Sequence, residues 1–301
     1  MDIKPGDVVA RKSHGKDIFF KVKSLIVTEN GTSKAILRGL DVRLIADAPC
    51  DDLELQPAQE ILRYRHNDIK KHNKFIRCRL QRRELQKETI LKRVEERKVH
   101  TADYDNNKDF TDNDFFEVPP RVLHIDGDEE YLDKCLHAYK QLKLSVKGVY
   151  IPENQQAAKV KDLLREYTPD ILVLTGHDGL IKKNLNISSL DSYRNSKHFV
   201  AAIREARSIR TSHDDLIIFA GACQSNYEAL LEAGATFASS PLRVLIHAYD
   251  PVLIVERISF TSIDETIAPE DIIKETITGD KGIGGMEIKG KLRIGYPNSV
   301  Y

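Results

Sequence analysis

The second half of this chain alternates strand-like and helix-like stretches, and that alternation constrains its fold more than any other feature. Residues 121–127, 145–151, 170–175 and 216–220 read as strands, with 236–239 as a candidate fifth; 129–142, 154–167, 196–209 and 226–232 read as helices between them. Strands apolar on both faces must be covered on both sides. Repeated β-then-α units therefore imply an α/β domain with a mostly parallel sheet and flanking helices, spanning 118–301. The tail, 283–296, is richer in Gly and reads as a terminal hairpin.

The first half follows other rules. Residues 1–56 carry short strand-like runs and an Asn30-Gly31 pair between two of them. Both residues tolerate positive φ, so the pair signals a hairpin, and a small SH3-like or Tudor-like β-barrel is expected. Such barrels bind peptides or nucleic acids in some proteins and merely pack against a neighbour in others. From Gln59 to His100 there is neither Gly nor Pro, and residues 61–100 hold 14 Lys or Arg against 5 Asp or Glu. Apolar residues at Ile69, Phe75, Ile76, Leu80, Leu85, Ile90, Leu91 and Val94 recur every three to five positions, which predicts a basic amphipathic helix or helical hairpin over 57–100. The plain reading of its polar face is a solvated helix between two domains; the alternative is a docking surface for an acidic partner or nucleic acid. Residues 101–117 are acidic and polar, the composition of a flexible linker and of an exposed place where a protease could cut itself.

Composition narrows the function. Lys plus Arg equals Asp plus Glu at 46 each, so net charge favours neither a nucleic acid nor a membrane partner. No apolar run approaches the roughly 20 residues of a membrane span, and the opening residues lack an apolar signal core; a cytoplasmic protein is expected. Cys50, Cys78, Cys135 and Cys223 are too far apart for a zinc knuckle or a disulfide framework, and no metal or other cofactor is expected.

Two segments carry chemistry. Asp-Ile-Leu-Val-Leu-Thr-Gly-His177-Asp-Gly and Leu-Ile-Ile-Phe-Ala-Gly-Ala-Cys223-Gln-Ser each end an apolar strand at a small residue and then present one reactive side chain, at the edge where open α/β sheets bind ligands. If those strands are neighbours, Cys223 is a nucleophile and His177 its base. The helix beginning near 226 would lower the thiol pKa. The Cys223 amide, with that of Asp178 or Gly179, would hold an oxyanion, and Gly221 would let a substrate backbone approach. The other three cysteines read as structural and His124 as core, while His247, also after an apolar run, is the competing base.

The two blocks resemble the His and Cys blocks of the caspase, legumain and clostripain peptidases. Asp178 between the His and the Gly, and Gly221 where caspases carry Gln, take this chain away from caspase-type Asp specificity. A closer resemblance covers nearly the whole chain. Lys-Pro-Gly-Asp-Val-Val-Ala-Arg-Lys-Ser-His-Gly-Lys-Asp-Ile-Phe-Phe, Ala-Ile-Leu-Arg-Gly-Leu-Asp-Val-Arg-Leu-Ile-Ala-Asp-Ala-Pro, Leu-Thr-Gly-His177-Asp-Gly and Phe-Ala-Gly-Ala-Cys223-Gln-Ser are similar to the YabG sporulation peptidase family. That resemblance implies a cysteine protease of the mother cell that trims spore coat and cortex-associated proteins and becomes associated with the forming coat. It also implies cleavage after Arg, self-processing, and His177 and Cys223 as the catalytic pair. Cleavage after Arg requires a carboxylate in the specificity pocket. Asp126, at the end of the first strand of the sheet, is preferred, and Asp178 is the other candidate.

Two other readings stay open. One is a thiol hydrolase of the amidotransferase kind using Cys223 with His247, although Ser225 stands where its elbow has Gly. The other is a non-enzymatic binding protein built on a receiver-like domain. A receiver places its phosphoacceptor Asp at the end of the third strand, where this chain has Gly176-His177.

Overall fold

The computed structural model describes residues 3–27, 33–99, 115–181 and 186–297, with side chains of 86–99 left undescribed. The Asn30-Gly31 turn and nearly all of the 101–117 segment lie outside these residues. The first element is an antiparallel five-stranded sheet of β1 (Val8–Arg11), β2 (Phe19–Val27), β3 (Ser33–Gly39), β4 (Ile45–Pro49) and β5 (Leu53–Leu55). Its order is β4-β3-β2-β1-β5, with no ladder between β4 and β5. Val9, Phe20, Val22, Ala35, Leu37 and Ala48 alternate inward and form its small core.

A single long helix, α1 (Ala58–Val99), follows. Its basic face is not simply solvated: Arg79, Arg82 and Arg83 all reach the fully buried Glu256. The acidic partner of that stretch is part of the same chain.

After β6 (Phe116–Val118) the chain enters the α/β layer: β7 (Val122–Asp126), α2 (Glu129–Gln141), β8 (Val146–Tyr150), α3 (Glu153–Tyr167), β9 (Ile171–Thr175), α4 (Ser196–Arg207), β10 (Ile217–Ala220), α5 (Tyr227–Glu232) and β11 (Phe237–Ser239). Then come α6 (Asp250–Ser259), β12 (Thr266–Ile267), α7 (Pro269–Ile273), β13 (Ile283–Gly285), β14 (Ile288–Lys289) and β15 (Arg293–Gly295). The central sheet has six strands in the order β13-β11-β10-β9-β7-β8, parallel except for β13.

Strand alternation divides the apolar residues between two cores. Ile171, Val173, Ile217 and Phe219 pack on one face with residues of α2 and α6. Leu172, Leu174, Ile218 and Ala220 pack on the other with residues of α3, α4 and α5. Every residue of β7, β9, β10 and β11 is buried, as a doubly covered sheet requires.

The tail is not a hairpin. β13 joins the central sheet beside β11, β14 pairs with β12, and β15 pairs with β6. The tail glycines serve close packing instead, since a Cβ on Gly285 would come 2.2 Å from the Phe237 ring.

Candidate active site

The chain leaves β7 for β8 on one side of the sheet and then crosses to β9 on the other, so the switch point of this sheet lies between β7 and β9. Ligand crevices of open α/β sheets form at that point, outside the carboxyl ends of the strands. Asp126 is the last residue of β7. His177 lies two residues past β9 and Cys223 three past β10. Those two strands are adjacent and in register, Leu174 beside Ala220, so their turns emerge side by side.

Asp178 ties the turns together. Its carboxylate accepts from the Ser196 and Ser225 hydroxyls and from the Asn195 and Gly179 N–H groups. Burial raises its carboxyl above the ordinary range, against those four donors. All of its acceptor capacity is used inside the chain, which argues against a role in a substrate pocket. The Gly179 amide, already donating to Asp178 Oδ1 at 2.9 Å, is likewise not an open oxyanion donor. Among the described contacts the Cys223 and Asp178 amides donate to no partner. Gly221 also differs from expectation. It sits at φ 112°, and a Cβ there would meet the Ser239 hydroxyl at 2.3 Å and Leu230 at 2.9 Å, so its space is filled by the protein rather than left for a substrate.

His177 is held by two carboxylates. Its backbone N–H donates to Glu153 Oε1 at 2.6 Å, while in the ring Nδ1 lies 3.6 Å from the same oxygen and Nε2 lies 3.4 Å from Asp128 Oδ2. Buried Nε2 has no hydrogen-bond partner. Glu153 reaches this position because Gly127 and Gly176 have no side chain; a Cβ on either would come 2.3 Å from its Oε1.

Cys223 is fully buried. Its sulfur accepts the Ile246 N–H at 3.3 Å, a donor from the stretch before α6 rather than from α5, whose first turn is capped by Asn226. Burial pushes the thiol up to about 12, against the Ile246 N–H, the Arg43 guanidinium and the Arg43 N–H, which favour the thiolate. No hydrogen bond joins it to His177 among the described contacts. The Tyr131 ring lies 5.7 Å from that of His177, and its hydroxyl donates to Gly39 O and Val42 O.

Asp126, at the carboxyl end of β7, is fully buried. Its Oδ2 takes the Arg43 guanidinium at 2.6 Å and the Thr175 hydroxyl at 2.9 Å, and its Oδ1 takes the Asp128 N–H. Burial alone would raise this carboxyl, but Arg43 and His124 hold it well below the usual carboxylate range. His124 is a core residue, bonded to Thr175 Oγ1 at 2.7 Å. His247 occupies a separate cavity with Asp41, Asp68 and His72; its Nδ1 accepts the Tyr249 N–H, and burial lowers its pKa. Cys135 is buried with its sulfur 3.3 Å from Arg43 Nη2, whereas Cys78 is exposed and Cys50 intermediate.

Arg43, Tyr131, Asp128 and Glu153 escaped the sequence reading. Asp128 and Glu153 carry the ordinary signature of acidic residues at a helix start, and nothing local says that both face one imidazole. Arg43 comes from the loop between β3 and β4, more than eighty residues before Asp126.

The molecule is thus an α/β protein with a buried thiol, an imidazole and a buried carboxylate at the carboxyl edge of its central sheet. The family model described as YabG peptidase U57 matches residues 4–297. The "Sporulation-specific protease YabG" of Bacillus subtilis (strain 168) is 42% identical over 297 residues, covering 99% of each chain. This chain belongs to the YabG peptidase U57 family and is a peptidase. No described helix is long and apolar enough to cross a membrane.

Proposed function

We propose that this peptidase is a cysteine endopeptidase of sporulation that cuts spore coat and cortex-associated proteins after Arg and processes itself. The observation that supports the reading is that β7, β9 and β10 are consecutive neighbours in the sheet, so that Asp126, charge-paired with a guanidinium, His177 and Cys223 all follow or end strands at the same carboxyl edge. In this reading residues 118–301 are a caspase-like peptidase domain, 1–56 an SH3-like barrel, 57–100 a basic helix and 101–117 a linker. The protein acts in the mother cell and at the forming coat.

The chemistry follows from the side chains. His177 takes the thiol proton, and the thiolate attacks the carbonyl carbon of the scissile bond. The Cys223 and Asp178 amides stabilise the oxyanion, and protonated His177 gives its proton to the leaving amine. Water then hydrolyses the thioester. Asp128 and Glu153, at 3.4 and 3.6 Å from its two ring nitrogens, flank the imidazole and orient it. Asp126 selects Arg because an uncharged P1 residue would leave its carboxylate buried and unpaired.

Hydrolysis of an Arg-containing peptide by wild type, Cys223→Ala, His177→Ala and His247→Ala tests the assignment. Activity is expected to vanish in the first two variants and persist in the third. Loss confined to His247→Ala would transfer the base role to that residue.

A further inference from the structure

We propose that Asp41-Val42-Arg43-Leu44 is an internal substrate seated in the crevice, that Arg43 fills the specificity pocket, and that Cys223 first cuts the Arg43–Leu44 bond. The proposal rests on the cysteine-peptidase reading above and assigns that site its first substrate.

Three features place the segment as a substrate would lie. The first is its side chain. Arg43 is among the largest fully buried side chains of the protein; its Nη1 lies 2.6 Å from Asp126 Oδ2, its Nη2 lies 3.3 Å from Cys135 Sγ, and its guanidinium sits 5.3 Å from the centre of the Tyr131 ring. A carboxylate at the bottom, a planar ring at the wall and complete burial are what a pocket for a P1 guanidinium requires.

The second is its backbone. Val42 forms an antiparallel bridge with His247, the Ala248 N–H donates to Asp41 O at 2.8 Å, and the Arg43 N–H donates to Ile246 O at 3.3 Å. This is strand addition, the common way in which an extended peptide is gripped through its main chain while a pocket reads the side chain. The third is the position of the nucleophile. Ile246, the residue that receives the Arg43 N–H, also donates its own N–H to Cys223 Sγ at 3.3 Å, so the main chain at Arg43 and the thiol share one anchoring residue.

The same contacts would keep the uncut chain latent. Cys223 is sealed from solvent and Asp126 is already neutralised, so no external peptide can enter. Immediately after Arg43 the chain folds back, the Leu44 N–H donating to Val42 O at 2.7 Å, and β4 begins at Ile45. An extended P1′ residue requires that turn to open, which makes the first cut slow. In the cut itself a carbon–sulfur bond forms between Arg43 C and Cys223 Sγ, and the bond to Leu44 N breaks. The thiol proton passes through His177 to the new Leu44 amine, and water releases the Arg43 carboxylate and restores the thiol. β3 and β4 stay paired across five residue pairs after the cut, so the fragments remain together while Arg43 gains freedom to leave the pocket.

Full-length wild type, Cys223→Ala, Arg43→Gln and Arg43→Lys are purified and followed by intact mass and amino-terminal sequencing. In parallel, hydrolysis of an Arg-containing peptide and alkylation of Cys223 by iodoacetamide are measured. The expected result is a wild-type fragment beginning at Leu44, absent from Cys223→Ala. Arg43→Gln is expected to stay uncut there, yet to cleave the peptide and alkylate roughly tenfold or more faster than uncut wild type, because its pocket no longer holds a paired guanidinium. Arg43→Lys keeps the charge and the fold and is expected to be cut more slowly at the same bond, which separates a seated substrate from a mere structural pair. Cysteine-dependent cutting only elsewhere, for example in 101–117, overturns the proposal while leaving the peptidase reading intact. So does a wild-type chain that hydrolyses the peptide with its 43–44 bond whole and at the Arg43→Gln rate. Absence of all cleavage, with Cys223 unreactive in every variant, would remove the underlying reading as well.

Discussion

Two buried carboxylates of this protein are each met by arginine from the first hundred residues, and they are not equivalent. Glu256, on α6, receives Arg79, Arg82 and Arg83 from α1, and Glu275 adds a second acceptor for Arg79 and Arg82. Arg83 also donates to Leu142 O at 2.6 Å and lies over the Phe260 ring. Asp126 receives one arginine, from a loop, at the carboxyl edge of the sheet beside the thiol. The first site distributes its charge over a network on two helices, which fixes a docked element. The second has a single arginine at the carboxyl edge of the sheet, which in the proposed reading is an exchangeable ligand. Burial and charge pairing are common to both, so they do not by themselves mark function; place on the sheet does.

Cysteine substitutions give the sharpest contrast between the two sites. Cys223→Ala, at the Asp126 end, is expected to lower hydrolysis of an Arg peptide on the order of 10³-fold or more. Cys78→Ala, exposed on the docked helix, should leave the rate unchanged. Equal losses in a kinetic assay would erase the distinction.

Glu256→Gln tests the dock. It leaves three guanidinium groups without their buried counter-charge and should cost about 3–5 kcal/mol in urea unfolding, while the ratio of Arg over neutral P1 residues in the folded fraction stays that of wild type. Asp126→Asn is its mirror: in peptide pairs differing only at P1, that same ratio should fall by about 100-fold, a loss typical of a removed charge partner. A ratio unmoved by Asp126→Asn, or shifted as far by Glu256→Gln, would contradict the roles assigned.

The smallest expected effect is a pH dependence. The buried Cys223 thiol is raised from 9.0 to about 12, so it stays neutral in the folded, uncut chain while an unfolded thiol ionises. Stability contributed by keeping it neutral is therefore present below 9 and lost as pH rises from about 9 toward 12. Iodoacetamide labelling of Cys223→Ala against wild type isolates this sulfur from Cys50 and Cys78. A rate for Cys223 at pH 8 equal to that of exposed Cys78 would show that the crevice is open.

Much of the α/β layer was legible because a doubly covered strand must be apolar throughout and short. β7, β9, β10 and β11 fall within the stretches read as strands, and α2, α3, α4 and α5 begin within a residue of their expected starts. Neighbouring of β9 and β10 followed from the preference of sequential strands to lie side by side. The glycine-rich tail misled because composition reports turn propensity and not pairing partners: its three short strands join three different sheets. The surroundings of Asp178 and Gly221 were not legible either: the Asp178 carboxylate takes the Ser225 hydroxyl, and Gly221 is packed against Ser239.

What the amino-acid sequence determined by itself was the layered α/β class, the long basic helix, and the exit of His177 and Cys223 from strand ends, all of which depend on local periodicity and on where apolar runs stop. Only the tertiary structure decided what faces those residues. The imidazole lies between Asp128 and Glu153, the thiol beneath the Arg43 segment, and Arg43 on Asp126. The physical reason is that a buried charge must find its counter-charge wherever the fold brings one, and that distance is measured through space, not along the chain.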